Sequence, residues 1–462
     1  MTSGQLVLVV AAGTGLLLVL LLVPARSARA VGLAAATAIV MVGANDTAGP
    51  AVYRASLAGA AVAATIVVVR VRSGGTGPAG LQAAVSSWWL FAFAGSAVAG
   101  TYSIQRFLLY GGLALLLAHV ALRLDRRSVR LYLRLVLAVL VAQVLLGIGE
   151  ATVLAEPIWG YRGGARENPF IGADLVRTQG TFGHPIVFGY FMALMAVLGW
   201  TNAAALSRRL RVLAILVAAT GLFLSGTRSA VVAAAAAIAL HLILRKGLAV
   251  WLRNVLLLGS GAAVAVAVGL GSTIEGLTVE LLDSGSWVQR LGSLRSVPAL
   301  LGRSPLEAWF GSGFGSDASL FERGFLRSDY HLSVVDDMFV EALATTGIIG
   351  LILLLTPAVL AFLRGDRSGR ALVFCSVAMM FSFDTMVWLC TGVMATLVVC
   401  LPRSHDDAGG ADEEPPPAAE PAAEGRILAP GGERRAAPFS PRSASRDRDS
   451  CRAPLRSAPP SG

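Results

Sequence analysis

Long apolar runs separated by short polar segments occupy most of the chain between residues 5 and 401. Each run is close to the roughly 20 residues that an α-helix needs to cross the hydrocarbon core of a bilayer. The runs are continuous and do not alternate with polar residues, which excludes a transmembrane β-barrel. The pattern therefore predicts an all-α, polytopic membrane helix bundle.

About 13 runs qualify as candidate membrane spans. They are residues 5–23, 31–46, 51–69, 81–100, 105–122, 131–149, 184–200, 210–224, 229–244, 250–270, 337–363, 371–385 and 387–401. The last two are short and could form one broken or re-entrant element, which would reduce the count to 12. The first run has no basic segment before it and is too long for the apolar core of a signal peptide, so we interpret it as a span.

Composition agrees with the hydropathy pattern. Of 462 residues, 55% are hydrophobic and 14% are charged, and the mean hydropathy is +0.69. Average soluble domains contain ~25% charged residues, so an ordinary soluble enzyme is excluded. The net charge of +10 comes almost entirely from arginine in short loops between spans. This placement is typical of the positive-inside rule and favours a lipid bilayer over nucleic acid as the partner.

The arginine-rich loops predict the orientation of the chain. We assign to the cytoplasm the loops with Arg26/Arg29, Arg70/Arg72, Arg123/Arg126/Arg127/Arg130, Arg208/Arg209/Arg211, Arg245/Lys246 and Arg364/Arg367/Arg370. Two long segments, 150–183 and 271–335, then become extracytoplasmic loops, as does the short turn after residue 224. This count places the N-terminus outside, and one miscounted span would place it inside.

Two regions follow from these boundaries. Residues 1–401 form the predicted transmembrane domain. Residues 402–462 are rich in Pro, Ala, Arg and Ser, a composition that cannot bury a core, so we expect a disordered cytoplasmic tail. The cysteines show no metal-ligand spacing, and we predict no metal site and no cofactor.

The first extracytoplasmic loop ends in Arg177-Thr-Gln-Gly-Thr-Phe-Gly-His184-Pro185, which runs directly into a span. His184 and Pro185 lie at a predicted helix start, where exposed N–H groups favour anions, and Arg177 is a cation close by. These residues predict an anion-binding edge, and a capped helix start with an arginine reaching towards lipid headgroups is an equally good interpretation. Arg228 lies in the short turn Leu224-Ser-Gly-Thr-Arg-Ser-Ala230. A cation at that membrane edge needs either a carboxylate or a phosphate partner.

The second loop adds a cation and several acid–base candidates. Residues 286–302 have amphipathic helical spacing, which predicts a helix on the membrane surface that carries Arg290. His331, Asp336 and Asp337 follow, just before a late span. The two carboxylates could cap that helix, or one could act as a general base. The intervening Gly311-Ser-Gly-Phe-Gly315 is too short for a nucleotide-binding loop.

With four motifs in this order, the chain resembles the O-antigen ligase/polymerase superfamily of bacterial membrane glycosyltransferases. The motifs are RTQGTFGHPIVFGYF, LFLSGTRSA, the QRL…GSGFG stretch and VVDDMFVEALATTGIIGLI. Each motif alone is weak, but the ordered set covers roughly residues 100–365. The resemblance also implies a fold like that of C-type membrane glycosyltransferases.

The resemblance implies transfer of a glycan from an undecaprenyl-pyrophosphate carrier to an acceptor hydroxyl outside the cytoplasmic membrane, without metal or nucleotide. It assigns functional roles to Arg177 and Arg290, with Arg228 at the short turn. Ligases of the superfamily carry His-Asn where this chain has Asp336-Asp337, and polymerases often carry Asp-Asn, so Asp336 favours a polymerase. His331, five residues earlier, is the alternative base.

We therefore predict a glycan polymerase, or a ligase in second place, that acts on lipid-linked repeat units in O-antigen or exopolysaccharide synthesis. Its predicted catalytic residues are Arg177, Arg290, Asp336 and His331, and its predicted pyrophosphate ligands are Arg177, Arg228, Arg290 and His184. The expected partners are the polyprenyl-pyrophosphate-linked glycan, an acceptor glycan or lipid, the bilayer, and a chain-length regulator or flippase. The rival hypotheses are a lipid-linked oligosaccharide flippase or other polysaccharide transporter, and a peptidoglycan glycosyltransferase of related build.

Overall fold

The structure is a computed structural model, and it describes residues 22–43, 46–70, 79–100, 104–154, 156–161, 165–170, 172–246, 285–327, 334–386 and 388–401. Helices dominate these residues, with one short two-stranded hairpin. The helices are α1 (Ala25–Gly43), α2 (Pro50–Arg70), α3 (Ala79–Ala99), α4 (Ile104–Ala121), α5 (Arg126–Thr152), α6 (Pro185–Thr201), α7 (Arg208–Ser225), α8 (Arg228–Lys246), α9 (Gly285–Arg295), α10 (Val297–Leu301), α11 (Pro305–Phe310), α12 (Asp317–Glu322), α13 (Met338–Arg364), α14 (Arg367–Met380) and α15 (Leu389–Cys400). The strands are β1 (Glu167–Asn168) and β2 (Gly172–Val176), and a single 3-10 turn lies at Asp46–Ala48.

The prediction of a helical membrane protein is confirmed. Four described helices are long and apolar enough to cross a membrane, namely Pro50–Val69 of α2, α3, α5 and α13. Five shorter apolar helices accompany them: Ser27–Gly43, Tyr110–Ala121, Pro185–Thr201, Arg228–Leu244 and Leu389–Cys400. The candidate spans at 5–23 and 250–270 and the tail at 402–462 lie outside the described residues, so the total of 12 or 13 spans stays a prediction.

Polar residues at the helix starts explain why several helices begin where they do. Asp125 accepts the N–H of Ser128 at 2.7 Å before α5, and Asp366 accepts the N–H of Gly369 at 2.6 Å before α14. A side-chain oxygen in this position satisfies one of the N–H groups that the first helical turn leaves without a partner. The apolar faces then bury one continuous core in which α6 is almost completely enclosed.

Two arginines bind carbonyls at the C-terminal end of α6, the end opposite His184. Arg211 donates to the carbonyls of Gly199 and Trp200, at 3.2 and 2.9 Å. Arg134 of α5 donates to the carbonyls of Ala204 and Ala205, just beyond the helix. Cations near a helix C-terminus interact favourably with its dipole, so these arginines stabilise the helix end in addition to any role in orientation.

The late span is a broken helix. The apolar run 337–363 predicts a span, and within the helix found there Gly347 has φ +68° and ψ −168°, which interrupts the helix axis. A side chain at this position would collide with the backbone of Trp309 and Gly311, with contacts near 2.5 Å. The predicted span is therefore present, with a break at this glycine that hydropathy does not show. A neighbouring loop occupies the space where the axis turns.

The predicted surface helix at 286–302 is also divided. It forms α9 and α10, which are separated at Ser296. The hydroxyl of Ser296 donates to the carbonyl of Gly292 at 3.1 Å and accepts the N–H of Arg327 at 2.8 Å. Periodicity predicted the helical conformation but not the break, because the break depends on a contact with a residue 31 positions later.

Candidate functional site

The β-hairpin attaches the first predicted loop to the turn between α7 and α8. Asn168, fully buried, donates from Nδ2 to the carbonyls of Phe223 and Leu224, at 2.9 and 3.2 Å. The N–H of Thr178 also donates to the carbonyl of Leu224, at 3.0 Å. Two motifs that are about 50 residues apart in sequence therefore meet, and Arg177 lies between them.

The guanidinium of Arg177 is anchored by this turn. Its Nε donates to the carbonyl of Ser225 at 2.8 Å, and its Nη2 donates to Oγ1 of Thr227 at 3.0 Å. The Thr227 hydroxyl in turn donates to the carbonyl of Pro185, at the start of α6, at 3.1 Å. These bonds use two of the five N–H groups of the arginine. The remaining N–H groups donate to no residue in the described part of the chain. The guanidinium is therefore anchored and still has donors available for a ligand.

Gly226 is required for this close approach. Its φ is +60°, in the left-handed region that favours glycine, and it ends α7. A Cβ atom here would lie 2.7 Å from Cδ of Pro169 and 3.0 Å from Cγ of Arg177. The Ser-Gly-Thr-Arg motif thus has a local geometric reason, since only glycine lets the hairpin and Arg177 pack against the turn.

Positive charge concentrates around Arg177. Burial lowers the pKa of its guanidinium to about 10, and the charges of Arg166 and then Arg228 add to the decrease. Among the described residues, both charges that lower this pKa are therefore positive. Guanidinium groups held together in a partly buried place repel each other unless an anion lies among them. This arrangement favours a bound anion.

Sequence reasoning missed Arg166. The N–H of Arg177 donates to the carbonyl of Arg166 at 2.8 Å, next to the Glu167–Val176 pair of the hairpin. The two arginines are therefore neighbours across the hairpin. The signal in the sequence would have been a β-hairpin that turns between Asn168 and Gly172. It was missed because strands of two and five residues are too short to recognise from alternation of polar and apolar residues.

Arg290 provides a third element of the site from the second loop. Its Nη2 donates to the carbonyl of Ser382 at 3.2 Å, and its buried Nε has no hydrogen-bond partner among the described residues. Burial lowers the pKa of Arg290, while the carboxylates of Asp336 and Asp337 raise it. A buried donor without a partner is costly, and such groups occur where a ligand completes the site.

The two neighbouring aspartates have different roles. Asp337 is 1% exposed and caps α13, with Oδ1 accepting the N–H groups of Phe339 and Val340 at 2.8 and 3.1 Å. Asp336 makes no such cap. Burial raises the pKa of Asp336, and the charges of Arg290 and then Arg166 oppose that rise. Asp336 is therefore close enough to arginines from both predicted loops for their charges to lower its pKa.

His184 is a helix cap in this structure. Its Nδ1 accepts the N–H of Ile186 at 3.1 Å, and its ring lies 5.5 Å from that of Trp388. An accepting Nδ1 leaves Nε2 as the protonated nitrogen of the neutral ring. The predicted phosphate contact of His184 remains a prediction, and His331 lies outside the described residues.

The Gly311–Gly315 stretch packs on the broken helix. The N–H groups of Ser312 and Gly313 donate to the carbonyls of Ala344 and Thr345, at 3.1 and 2.8 Å. The glycines allow two backbones to touch, which explains the motif without a nucleotide. Within the described part of the chain, no group of three or more His, Cys, Asp or Glu side chains is arranged to hold a metal ion.

The comparisons with known proteins agree with these motifs. No curated protein matches the chain. A family model described as O-Antigen ligase (Wzy_C) matches residues 213–355, a stretch that contains Arg228, Arg290, Asp336 and the break at Gly347. Arg177 and the hairpin precede the matched region. The match confirms, over residues 213–355, the resemblance to the O-antigen ligase/polymerase superfamily that the motifs carry.

Proposed function

We propose that this protein is a membrane glycosyltransferase that transfers or polymerises glycan units from a polyprenyl-pyrophosphate carrier onto an acceptor hydroxyl. The observation that carries the proposal is the cluster of Arg166, Arg177 and Arg228, in which the described charges that act on the partly buried Arg177 are both arginines. A diphosphate is the anion that such a cluster suits, because guanidinium forks bind phosphate oxygens in pairs.

Arg177 suits a leaving group that gains charge. A pKa of about 10 keeps it protonated at neutral pH. Its Nε and Nη2 bonds to the α7–α8 turn hold the fork in place before the reaction, so that little reorganisation is needed. A donor aimed at developing negative charge is worth about 3 kcal/mol in known enzymes.

The arginines and Asp336 supply the groups that glycan transfer needs. The acceptor oxygen forms a bond to the anomeric carbon, and the bond from that carbon to the phosphate oxygen breaks. The electron pair leaves with the lipid pyrophosphate, where the arginines stabilise it. The acceptor hydroxyl gives its proton to the carboxylate of Asp336, whose partly buried position raises its pKa towards that of an effective general base.

Asp336, in the position where ligases of the superfamily have His, favours polymerisation over ligation. The proposal places this site on the outer face of the cytoplasmic membrane, with residues 402–462 in the cytoplasm. It also includes an acceptor glycan or lipid as second substrate, and a chain-length regulator or flippase as functional partner.

The test compares arginine variants in a deletion strain. We expect Arg177→Ala and Arg290→Ala, at normal protein level, to abolish the surface glycan and to accumulate lipid-linked units. Arg323→Ala is the matched control, because Arg323 is an exposed arginine of the second loop that pairs with Glu307 at 2.8 Å. Normal chain-length profiles in both site variants would overturn the proposal.

Purified protein separates the enzyme from a flippase. The probe is the lipid-linked glycan extracted from the deletion strain, mixed with protein in detergent, where no membrane remains to be crossed. A glycosyltransferase changes the mass of the glycan and releases the lipid pyrophosphate. A flippase leaves the mass unchanged, and that result would replace this proposal with transport.

A further inference from the structure

Arg303 is a buried arginine of the second predicted loop. Its residue is 5% exposed. Its guanidinium donates to the carbonyls of Leu300, Ala344 and Leu343 and to Oγ of Ser312, each at 2.9 Å. These four bonds use the planar fork almost completely, so Arg303 has no donor arrangement left for a phosphate.

The acceptors of Arg303 lie at the break in α13. The carbonyls of Leu343 and Ala344 belong to the turn just before Gly347. They accept hydrogen bonds from the guanidinium of Arg303, in a place where an unbroken helix would supply main-chain N–H donors. The N–H of Ser312 donates to the same Ala344 carbonyl, and the N–H of Gly313 donates to the next carbonyl, that of Thr345. Arg303 therefore joins α10, the Gly311–Gly315 stretch and the broken helix in one network.

The segment before the break carries the candidate base. Residues 338–346 form the first part of α13, with Asp337 as the cap and Asp336 immediately before it. Arg290 acts on both aspartates. The direction of this short helical segment therefore determines how Asp336 lies relative to Arg290.

The use of a buried cation here requires a reason. An unbroken helix would satisfy the same carbonyls with its own N–H groups and without taking a guanidinium out of water. Burying a charge is costly even when it is well hydrogen-bonded. The cost is offset if residues 338–346 must point in a direction that a straight helix does not allow.

We propose that Arg303 is a positioning residue for glycan transfer: by holding the carbonyls of Leu343 and Ala344, it sets the segment 338–346 so that Asp336 faces Arg290. This inference rests on the proposed function. Arg303 acts through the backbone and does not touch the substrate.

The experiment compares Arg303→Lys with Arg323→Lys in membranes of the deletion strain, with the lipid-linked glycan extracted from that strain as the probe. Lysine keeps the charge, but it cannot reach the four acceptors at once. We expect Arg303→Lys to lower the initial rate at least tenfold, with a thermal aggregation temperature that falls but stays above the assay temperature, because some buried carbonyls lose their donor. We also expect the acidic limb of its pH–rate profile to move to higher pH, because Asp336 loses part of the influence of Arg290. Arg323→Lys should match the wild type in all three measurements.

Each other outcome overturns the inference. A wild-type rate for Arg303→Lys, or a lower rate with an unmoved acidic limb, would show that Arg303 does not set Asp336. Loss of folded Arg303→Lys from the membrane would make Arg303 a residue of fold stability alone. Arg177→Ala is measured in parallel: if it stays active, the proposed function fails, and if it is inactive while Arg303→Lys is normal, only the positioning role fails.

Discussion

The main-chain N–H of Arg177 donates to the carbonyl of Arg166 at 2.8 Å, so two arginines lie opposite each other at the end of a small hairpin. Like charges placed directly across an antiparallel pair are destabilising. The hairpin nevertheless holds them beside Arg228, at a turn built to anchor Arg177. This relationship is the basis of the proposed diphosphate site.

Replacement of Arg166 separates function from stability. Arg166→Gln removes one positive charge from the cluster, and we expect an initial rate of glycan transfer about tenfold lower. The free energy of unfolding should stay the same or rise by up to ~1 kcal/mol, since a like-charge pair is relieved. Rate assays on membranes and thermal aggregation of purified protein measure the two effects. Arg323→Gln serves as the control, and equal rates in the two variants would remove Arg166 from the site.

The fork of Arg177 matters in addition to its charge. Arg177→Lys retains a cation, but it cannot donate in parallel to Ser225 and Thr227 and also to a phosphate. We expect about a hundredfold lower rate, equivalent to ~3 kcal/mol of transition-state stabilisation. Quantifying lipid-linked units against finished glycan gives the ratio. A lysine variant with wild-type activity would reduce Arg177 to a simple source of charge.

Gly226 should be the most sensitive position of the short turn. Gly226→Ala introduces both an unfavourable positive φ and a clash with Pro169 and Arg177, so we expect loss of activity and a destabilisation above the ~1 kcal/mol of φ strain alone. Gly324→Ala is the matched control, because its φ is +77° and nothing lies within 4 Å of the added Cβ. The difference between the two aggregation temperatures isolates the clash. Equal effects would mean that the close approach does not constrain the turn.

The pH dependence of the rate should follow Asp336. Burial raises its pKa, so the carboxylate form that accepts a proton is lost as pH falls through a value above the usual range of aspartate. The rate should therefore fall on the acidic side. Arg290→Gln should move this limb to higher pH, because Arg290 opposes the rise. Initial rates across pH for wild type, Arg290→Gln and Asp336→Asn provide the measurement.

Two outcomes of that series would contradict the assignment. An active Asp336→Asn with an unchanged acidic limb would remove Asp336 as the base. A larger loss in His331→Ala than in Asp336→Asn would move the base to His331.

Much of the helical architecture could be predicted from hydropathy. The runs at 51–69, 81–100 and 184–200 closely match α2, α3 and α6, because the length and the apolar character of a span are local properties of the chain. The helix starts at His184 and Asp337 were also visible, since capping depends on neighbouring residues. The breaks at Ser296 and Gly347 were not, because each depends on a contact with a distant segment.

By itself the sequence determined the membrane class, most helical segments, the resemblance to the O-antigen ligase/polymerase superfamily, and the choice of Arg177, Arg228, Arg290 and Asp336 as candidate functional residues. Only the tertiary structure brought Arg166 opposite Arg177, placed Asp336 where Arg290 and Arg166 act on it, and tied Arg303 to the broken helix. Hydropathy and capping act within a few residues along the chain, whereas the hydrogen bonds and charges that shape this site join segments that are tens of residues apart.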